Sequence, residues 1–234
     1  MRKTLGSMRK AITDYSMIEE NETVCVAVSG GKDSMLMLKA MSIYRLFSKV
    51  PFKLHAICLD MGFNNMDFTT LEKYCKEIDV DLTIKETEIS TIVFDVRNEK
   101  SPCSLCAKFR RGALHDLALS LGSTKICLGH HADDFLETFY LSLFFEGRIN
   151  SFKAKTFLDR KGVTVVRPMI YCREQDIIYA VNKNNIPIIK SKCPVDGNTK
   201  REEMKDLVKF LSHKYPKSDE RAINAVKNLI DSLE

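Results

Sequence analysis

The sequence predicts an α/β fold in which a parallel sheet of five strands is covered by helices on both faces. Three observations carry this prediction. Short apolar, β-branched runs recur along the chain, and each gives way to a stretch with helical spacing. Strands alternating with helices in this way form parallel sheets. Two of the strand runs end in turns built from glycine and polar residues, at Ser29–Ser34 and at Gly129–Asp134. In such sheets the ligand lies outside the carboxyl ends of the strands, where both turns fall.

The elements follow in order. Val24 to Val28 reads as a buried strand, and Met35 to Phe47 as a helix that offers Leu36, Leu38, Met41 and Tyr44 for packing. Leu54 to Leu59 is the second strand, followed by a helix over Asp67 to Ile78. Leu82 to Ile89 alternates and forms the third strand. Leu105 to Leu121 is a long helix closed by Gly122. Lys125 to Leu128 is the fourth strand and precedes a helix from Asp133 to Phe145. Val163 to Val166 is the fifth, stopped by Pro168. From Arg173 onward the pattern is mostly helical, with no repeats. The expected organisation is a helical segment over 1–20, an α/β domain over 21–170 and a helical C-terminal extension over 171–234.

Composition narrows the functional classes. The 234 residues are enough for one sizeable domain. A hydrophobic content of 44% with 29% charged residues fits a globular chain and argues against disorder. The longest apolar runs, such as Leu141 to Phe145, are too short for a bilayer, and the first 20 residues lack a signal-peptide core. A cytoplasmic protein without a membrane partner is expected. Its eight cysteines are then thiols, metal ligands or redox groups, and a disulfide framework is not expected. The net charge of +5 is modest, but the bases cluster around the motifs. The clusters are Arg2 to Lys10, Lys108 to Arg111, Lys153 to Lys161 and Lys190 to Arg201. They are either solvated faces or the footprint of a polyanionic substrate.

Ser29-Gly30-Gly31-Lys32-Asp33-Ser34 follows a strand and opens a helix. Gly30 and Gly31 leave backbone N–H groups open to an anion, and the helix N-terminus adds free donors and a partial positive charge. Lys32 supplies a full charge, and Ser29 and Ser34 supply hydroxyls. This is a polyphosphate cradle, with a plain Gly-Gly turn as the bland alternative. It is not a Walker A loop, because the spaced glycine is missing and Asp33 follows the lysine. Leu59, closing the second strand, and Gly129, closing the fourth, complete the candidate nucleotide-binding set. Gly129 is expected to let backbone approach the ligand.

After Gly129, Asp133 and Asp134 stand at the start of a helix, where the macrodipole stabilises carboxylates. Capping would need only one of them, so the other is free for Mg²⁺ or for the substrate. His130 and His131 are neighbours and point apart, so a zinc site on them is not expected. Cys103-Ser-Leu-Cys106 opens a helix, with Lys108, Arg110 and Arg111 nearby. That setting is expected to lower the thiol pKa values, and Arg110 shares a face with Cys106. A third ligand is sought in the polar loop at Cys193, with Cys172 the weaker candidate. Cys25, Cys58 and Cys127 read as core residues, and Cys75 sits on a helix. Three thiolates suit a four-iron cluster with one open iron, or zinc with a further ligand.

The Ser29–Ser34 loop resembles the PP-loop of the ATP pyrophosphatases. A closer resemblance, from Met8 to Leu211, is to the TtcA family, which makes 2-thiocytidine in tRNA. It rests on Met17-Ile18-Glu19-Glu20, the loop itself, Pro102-Cys103-Ser104-Leu105-Cys106, Arg110-Arg111-Gly112, Leu128 to Asp134, Arg167-Pro168 and Tyr171-Cys172-Arg173-Glu174. The family and its TtuA relatives imply an adenine-nucleotide α-hydrolase fold. They imply ATP, Mg²⁺ and a [4Fe-4S] cluster on Cys103, Cys106 and Cys193, with Arg110 as a basic residue and Asp134 as the catalytic acid. The implied reaction adenylates a base carbonyl of tRNA and replaces its oxygen by sulfur. The sulfur would come from a cysteine desulfurase, sulfide or another carrier, and a homodimer is compatible with this reading. The chain departs from the pattern at Cys193, which stands before Pro194 where typical members carry a further Cys-x-x-Cys. An adenylating enzyme for a small molecule and a non-catalytic iron–sulfur or zinc sensor remain the alternatives.

Overall fold

A computed structural model describes residues 1–64, 66–97, 102–195, 197 and 199–232. Its order is α1 (Arg2–Asp14), β1 (Thr23–Ala27), α2 (Lys32–Arg45), β2 (Lys53–Asp60), α3 (Thr69–Glu77), β3 (Asp81–Glu86) and α4 (Pro102–Ser120). Then come β4 (Lys125–Cys127), α5 (Ala132–Leu141), β5 (Lys155–Leu158), β6 (Val163–Val166), α6 (Glu174–Lys183), α7 (Lys200–Lys214) and α8 (Ser218–Ser232). Two single π-helical turns lie at Thr91–Val96 and Ser142–Glu146. Among the described residues no helix is long and apolar enough to cross a membrane.

One sheet of six strands runs in the order β3-β2-β1-β4-β6-β5. All pairings are parallel except β5 with β6. The expectation of five parallel strands is therefore corrected by one antiparallel edge strand. Lys155-Thr-Phe-Leu158 carries no continuous apolar run because an edge strand is not buried on both faces. What makes it a strand is its hairpin to β6. Gly162 turns the chain with φ +63°, and its N–H donates to the Leu158 carbonyl at 2.9 Å.

The chain builds β1, β2 and β3 toward one side, then crosses to place β4 on the other side of β1. This makes a topological switch point between β1 and β4, so the crevice for a ligand opens there. α2 leaves β1 and α5 leaves β4, and both helices start at that crevice. α2 is held rigidly: Met35, Leu36, Met37, Leu38, Ala40 and Met41 are all fully buried. A helix that is apolar all round belongs in the centre of a core. It packs beside α1 and α6 on one face, while Leu117 and Ala118 of α4 cover Cys25, Ile57 and Ile126 on the other. At the opposite end of the sheet, the buried Lys125 is neutralised by Glu22 at 3.1 Å and Glu19 at 3.6 Å. An unpaired ammonium there would be costly.

Candidate active site

The first half of the site is the loop between β1 and α2. Gly30 has φ +84°, and a Cβ placed on it would stand 2.7 Å from the Ile189 Cβ. The loop closes on itself: the Ser29 N–H donates to Ser34 Oγ at 3.1 Å, and Ser34 Oγ donates to the Gly31 carbonyl at 3.0 Å. The helix begins at Gly31 with no side-chain cap, so its first N–H groups remain open for an anion.

Lys32 lies 3.0 Å from both Asp33 Oδ2 and Glu174 Oε1. Burial would lower the Lys32 pKa, but Asp33 and Glu174 overcome it and the net direction is upward. Glu174 in turn meets Lys205 at 2.6 Å. Burial raises its carboxyl, yet Lys205 and Lys32 bring it down to about 2. The phosphate loop is thus wired to α6 and α7, a connection absent from the sequence reading. The signal available was Arg173-Glu174, which carried the family resemblance but received no role.

The second half is the end of β4. A Cβ on Gly129 would lie 3.2 Å from the Asp33 carbonyl carbon and from the Ser34 nitrogen. Its small size is needed for the two loops to touch, whereas the sequence reading reserved it for the ligand. The N-cap of α5 is His131, in place of either aspartate. His131 and Asp134 form a reciprocal capping box, in which the His131 N–H donates to Asp134 Oδ2 at 2.9 Å.

The two aspartates divide their duties. Asp133 accepts from the Glu174 N–H at 2.7 Å and from the Arg173 guanidinium at 2.9 Å, which commits it to anchoring α6. Asp134 keeps Oδ1 toward the crevice side of α7, where Arg201 stands 3.6 Å away. The imidazole of His131 is buried between Asp33 Oδ1 at 3.6 Å and Asp134 Oδ2 at 3.4 Å. Asp33 Oδ1 is buried without a hydrogen-bond partner. A carboxylate oxygen left in that state at the phosphate loop is one that a hard cation such as Mg²⁺ would satisfy.

Glu137, one turn further along α5, is 4% exposed and was not singled out in the sequence. Burial first, then the Asp134 charge, push its carboxyl up to about 7, against the pull of Arg201 at 3.5 Å. The ordinary value is 4.5, so folding with Glu137 ionised costs on the order of 3 kcal/mol. The penalty is absent below pH 4.5, grows as the pH rises toward 7, and is complete above it. Glu137→Gln is therefore expected to raise the melting temperature at pH 8 and leave it unchanged near pH 4.5. Thermal melts at the two pH values check this; an equal shift at both would refute it.

The cysteines form the third part. Cys103 is exposed, Cys106 and Cys193 are partly exposed, and the other five are buried. Burial pushes the Cys106 thiol up; Arg110 pulls it down, and Cys193 and Cys103 push it up again. The expected lowering at Cys106 is thus not met, because burial outweighs Arg110. Cys193 is thus near enough to act on Cys106. Arg110 also acts on Cys58, so its guanidinium serves the carboxyl end of β2 as well as the thiols. Leu59 lies at that strand end, partly buried against the α4 side of the sheet. Four residues before Cys193, the Ile189 N–H donates to the Gly30 carbonyl at 2.9 Å, which docks this segment on the Ser29–Ser34 loop. Among the described residues no three His, Cys, Asp or Glu side chains form a group that could hold a metal ion. Cys106 is the thiol on which both Cys103 and Cys193 act, and a four-iron cluster binds each thiolate through a different iron, so its thiols stand around a space and do not converge on one atom. Cys172 is buried with its Sγ toward the Thr4 carbonyl, away from this group.

Comparison with known proteins places these features in a wider set. The PP-loop domain family matches residues 3–209. The tRNA-cytidine(32) 2-sulfurtransferase of Pelobacter propionicus is 34% identical, over 97% of this chain and 86% of its own length. That of Pasteurella multocida is 36% identical over 99% of this chain and 74% of its own, and that of Psychromonas ingrahamii 37% over 99% and 75%. Among solved structures, the U34-tRNA thiolase NcsA from Methanococcus maripaludis, with its [4Fe-4S] cluster, superposes with a TM-score of 0.81. It is 22% identical and matches 100% of this chain and 79% of its own, a likeness of fold.

Proposed function

This chain belongs to the PP-loop family, with the tRNA-cytidine(32) 2-sulfurtransferases, and on that premise we propose that it exchanges a cytidine 2-oxygen in tRNA for sulfur at the expense of ATP. One observation supports the reading: the Ile189–Gly30 hydrogen bond ties the segment that leads to Cys193 to the Ser29–Ser34 loop, so adenylation and sulfur delivery would share one crevice.

The α-phosphate of ATP would lie at the α2 N-terminus, held by backbone N–H groups, Ser34 and Lys32. The base O2 attacks the α-phosphorus and pyrophosphate leaves, which turns a poor leaving group into AMP. Lys32 and Arg110 offset the charge that builds on the phosphates, and Asp33 would hold Mg²⁺ beside them. Hydrosulfide from an external donor then attacks C2 and loses its proton, and AMP leaves with the former oxygen. Asp134, beside Arg201 at the crevice, would take the proton that the attacking hydrosulfide loses. Cys103, Cys106 and Cys193 would hold a [4Fe-4S] cluster, which supplies an iron free of protein ligands where sulfur can be presented.

The test is mass spectrometry of tRNA nucleosides from a deletion strain, joined to an assay of the purified protein. Loss of 2-thiocytidine, with AMP and pyrophosphate formed only when tRNA and a sulfur source are present, is the expected result. Unchanged thionucleosides in the deletion strain would overturn the reading.

A further inference from the structure

The π-helical turn Ser142–Glu146 presents an unusual surface at the far end of α5. Phe144, Phe145 and Ile149 are 59%, 54% and 56% exposed, a run of large apolar side chains that water covers poorly. The turn is nonetheless well built. The Arg148 N–H donates to the Ser142 carbonyl at 3.2 Å, Ser142 Oγ donates to Glu146, and Gly147 ends the turn in the left-handed region at φ +63°. Single π-helical turns are rare and occur frequently at functional sites.

Its aromatic rings are arranged as flat faces. Tyr140 and Phe144 stack with their planes 12° apart and centroids at 5.9 Å. The Lys200 ammonium stands 5.6 Å above the Phe145 ring. The next residue, Arg201, reaches Asp134 and Glu137, so the first turn of α7 touches both the aromatic surface and the site. α5 itself spans about 15 Å between them.

We propose that this turn is the platform on which unpaired bases of the tRNA loop stack while the target base enters the crevice. The inference rests on the thiolation reading and extends it to a docking surface. The occupant follows from charge. The Lys200 ammonium stands over the Phe145 ring and the exposed Arg148 comes two residues after Glu146, the last residue of the turn, so positive charge borders the rings. Stacking faces in a basic surface are how single-stranded nucleic acid is held, because every base has a π face and its backbone is anionic. A second copy of the chain would bring the same positive charge with it.

The test compares Phe144→Ala/Phe145→Ala with the parent protein in binding to tRNA and to a synthetic anticodon stem-loop over a range of salt. Affinity is expected to fall roughly tenfold or more with the salt slope retained, because stacking is lost and phosphate contacts are kept. ATP affinity and melting temperature should be unchanged, since both rings are exposed. Phe144→Tyr/Phe145→Tyr should bind like the parent. Unaltered RNA affinity in the alanine variant overturns the platform. So does conversion of a parent dimer to monomers without loss of RNA binding, which would make the surface a contact between copies. Failure of the parent itself to bind tRNA would instead remove the thiolation reading on which the platform stands.

Discussion

Lys32→Ala is expected to weaken ATP binding by at least about a hundredfold and to abolish AMP formation. A charge-assisted hydrogen bond contributes about 1.5–3 kcal/mol, and the upper part of that range already corresponds to a hundredfold. The substitution does more than remove a contact. Lys32 neutralises Asp33 and Glu174, so its loss leaves two carboxylates facing the incoming phosphates, with Lys205 compensating only Glu174. The fold should survive, because the α2 core consists of Met35, Leu36 and their buried neighbours, and Lys32 lies at the crevice. Calorimetry with ATP checks the affinity, and a thermal melt within a few degrees of the parent checks the fold. An ATP affinity equal to the parent's would move the phosphate site elsewhere.

Cys193→Ala is expected to strip the cluster from anaerobically purified protein, as are Cys103→Ala and Cys106→Ala. Cys172→Ala should keep it. The reason is position: Cys193 acts electrostatically on Cys106, whereas Cys172 is buried against Thr4 and held high, at about 12, by burial and Asp176. Ligation by Cys172 would require α1 to lift from the core. Iron and sulfide analysis with an absorption spectrum reads the outcome without reference to turnover. Iron that survives Cys193→Ala and disappears in Cys172→Ala would reverse the assignment. A colourless parent protein with stoichiometric zinc and full activity would remove the cluster altogether.

Much of this was legible in the residues, and where it failed the reasons are physical. The β1 and β4 strands, the loop from Ser29 to Ser34 and the helix behind it could be read because each is local: apolar runs, glycines and a helix start within a few residues. β5 could not, because Lys155–Leu158 is a strand only through its pairing with β6. The Cys-x-x-Cys pair was evident from spacing, but the state of the Cys106 thiol was not. A helix N-terminus and Arg110 argue one way, burial argues the other, and burial is set by tertiary packing that the spacing does not show.

The aspartate pair shows the division most clearly. The sequence by itself determined that a Gly-Gly-Lys loop and two adjacent carboxylates sit at strand ends of an α/β sheet, with a pair of thiols opening a helix, since those motifs are contiguous and the sheet rule orders them. It could not say which aspartate was free. Only the tertiary structure divided their work, by spending Asp133 on the Glu174 N–H and Arg173 while Asp134 caps α5 with Oδ2 and turns Oδ1 toward Arg201. The same holds for Lys32, Glu174 and Lys205, and for Glu137. Beside the local effects of Asp33 and Asp134, their charges depend on partners far away in the chain that meet only when α6 and α7 pack across the crevice, where lowered solvation makes each pairing consequential.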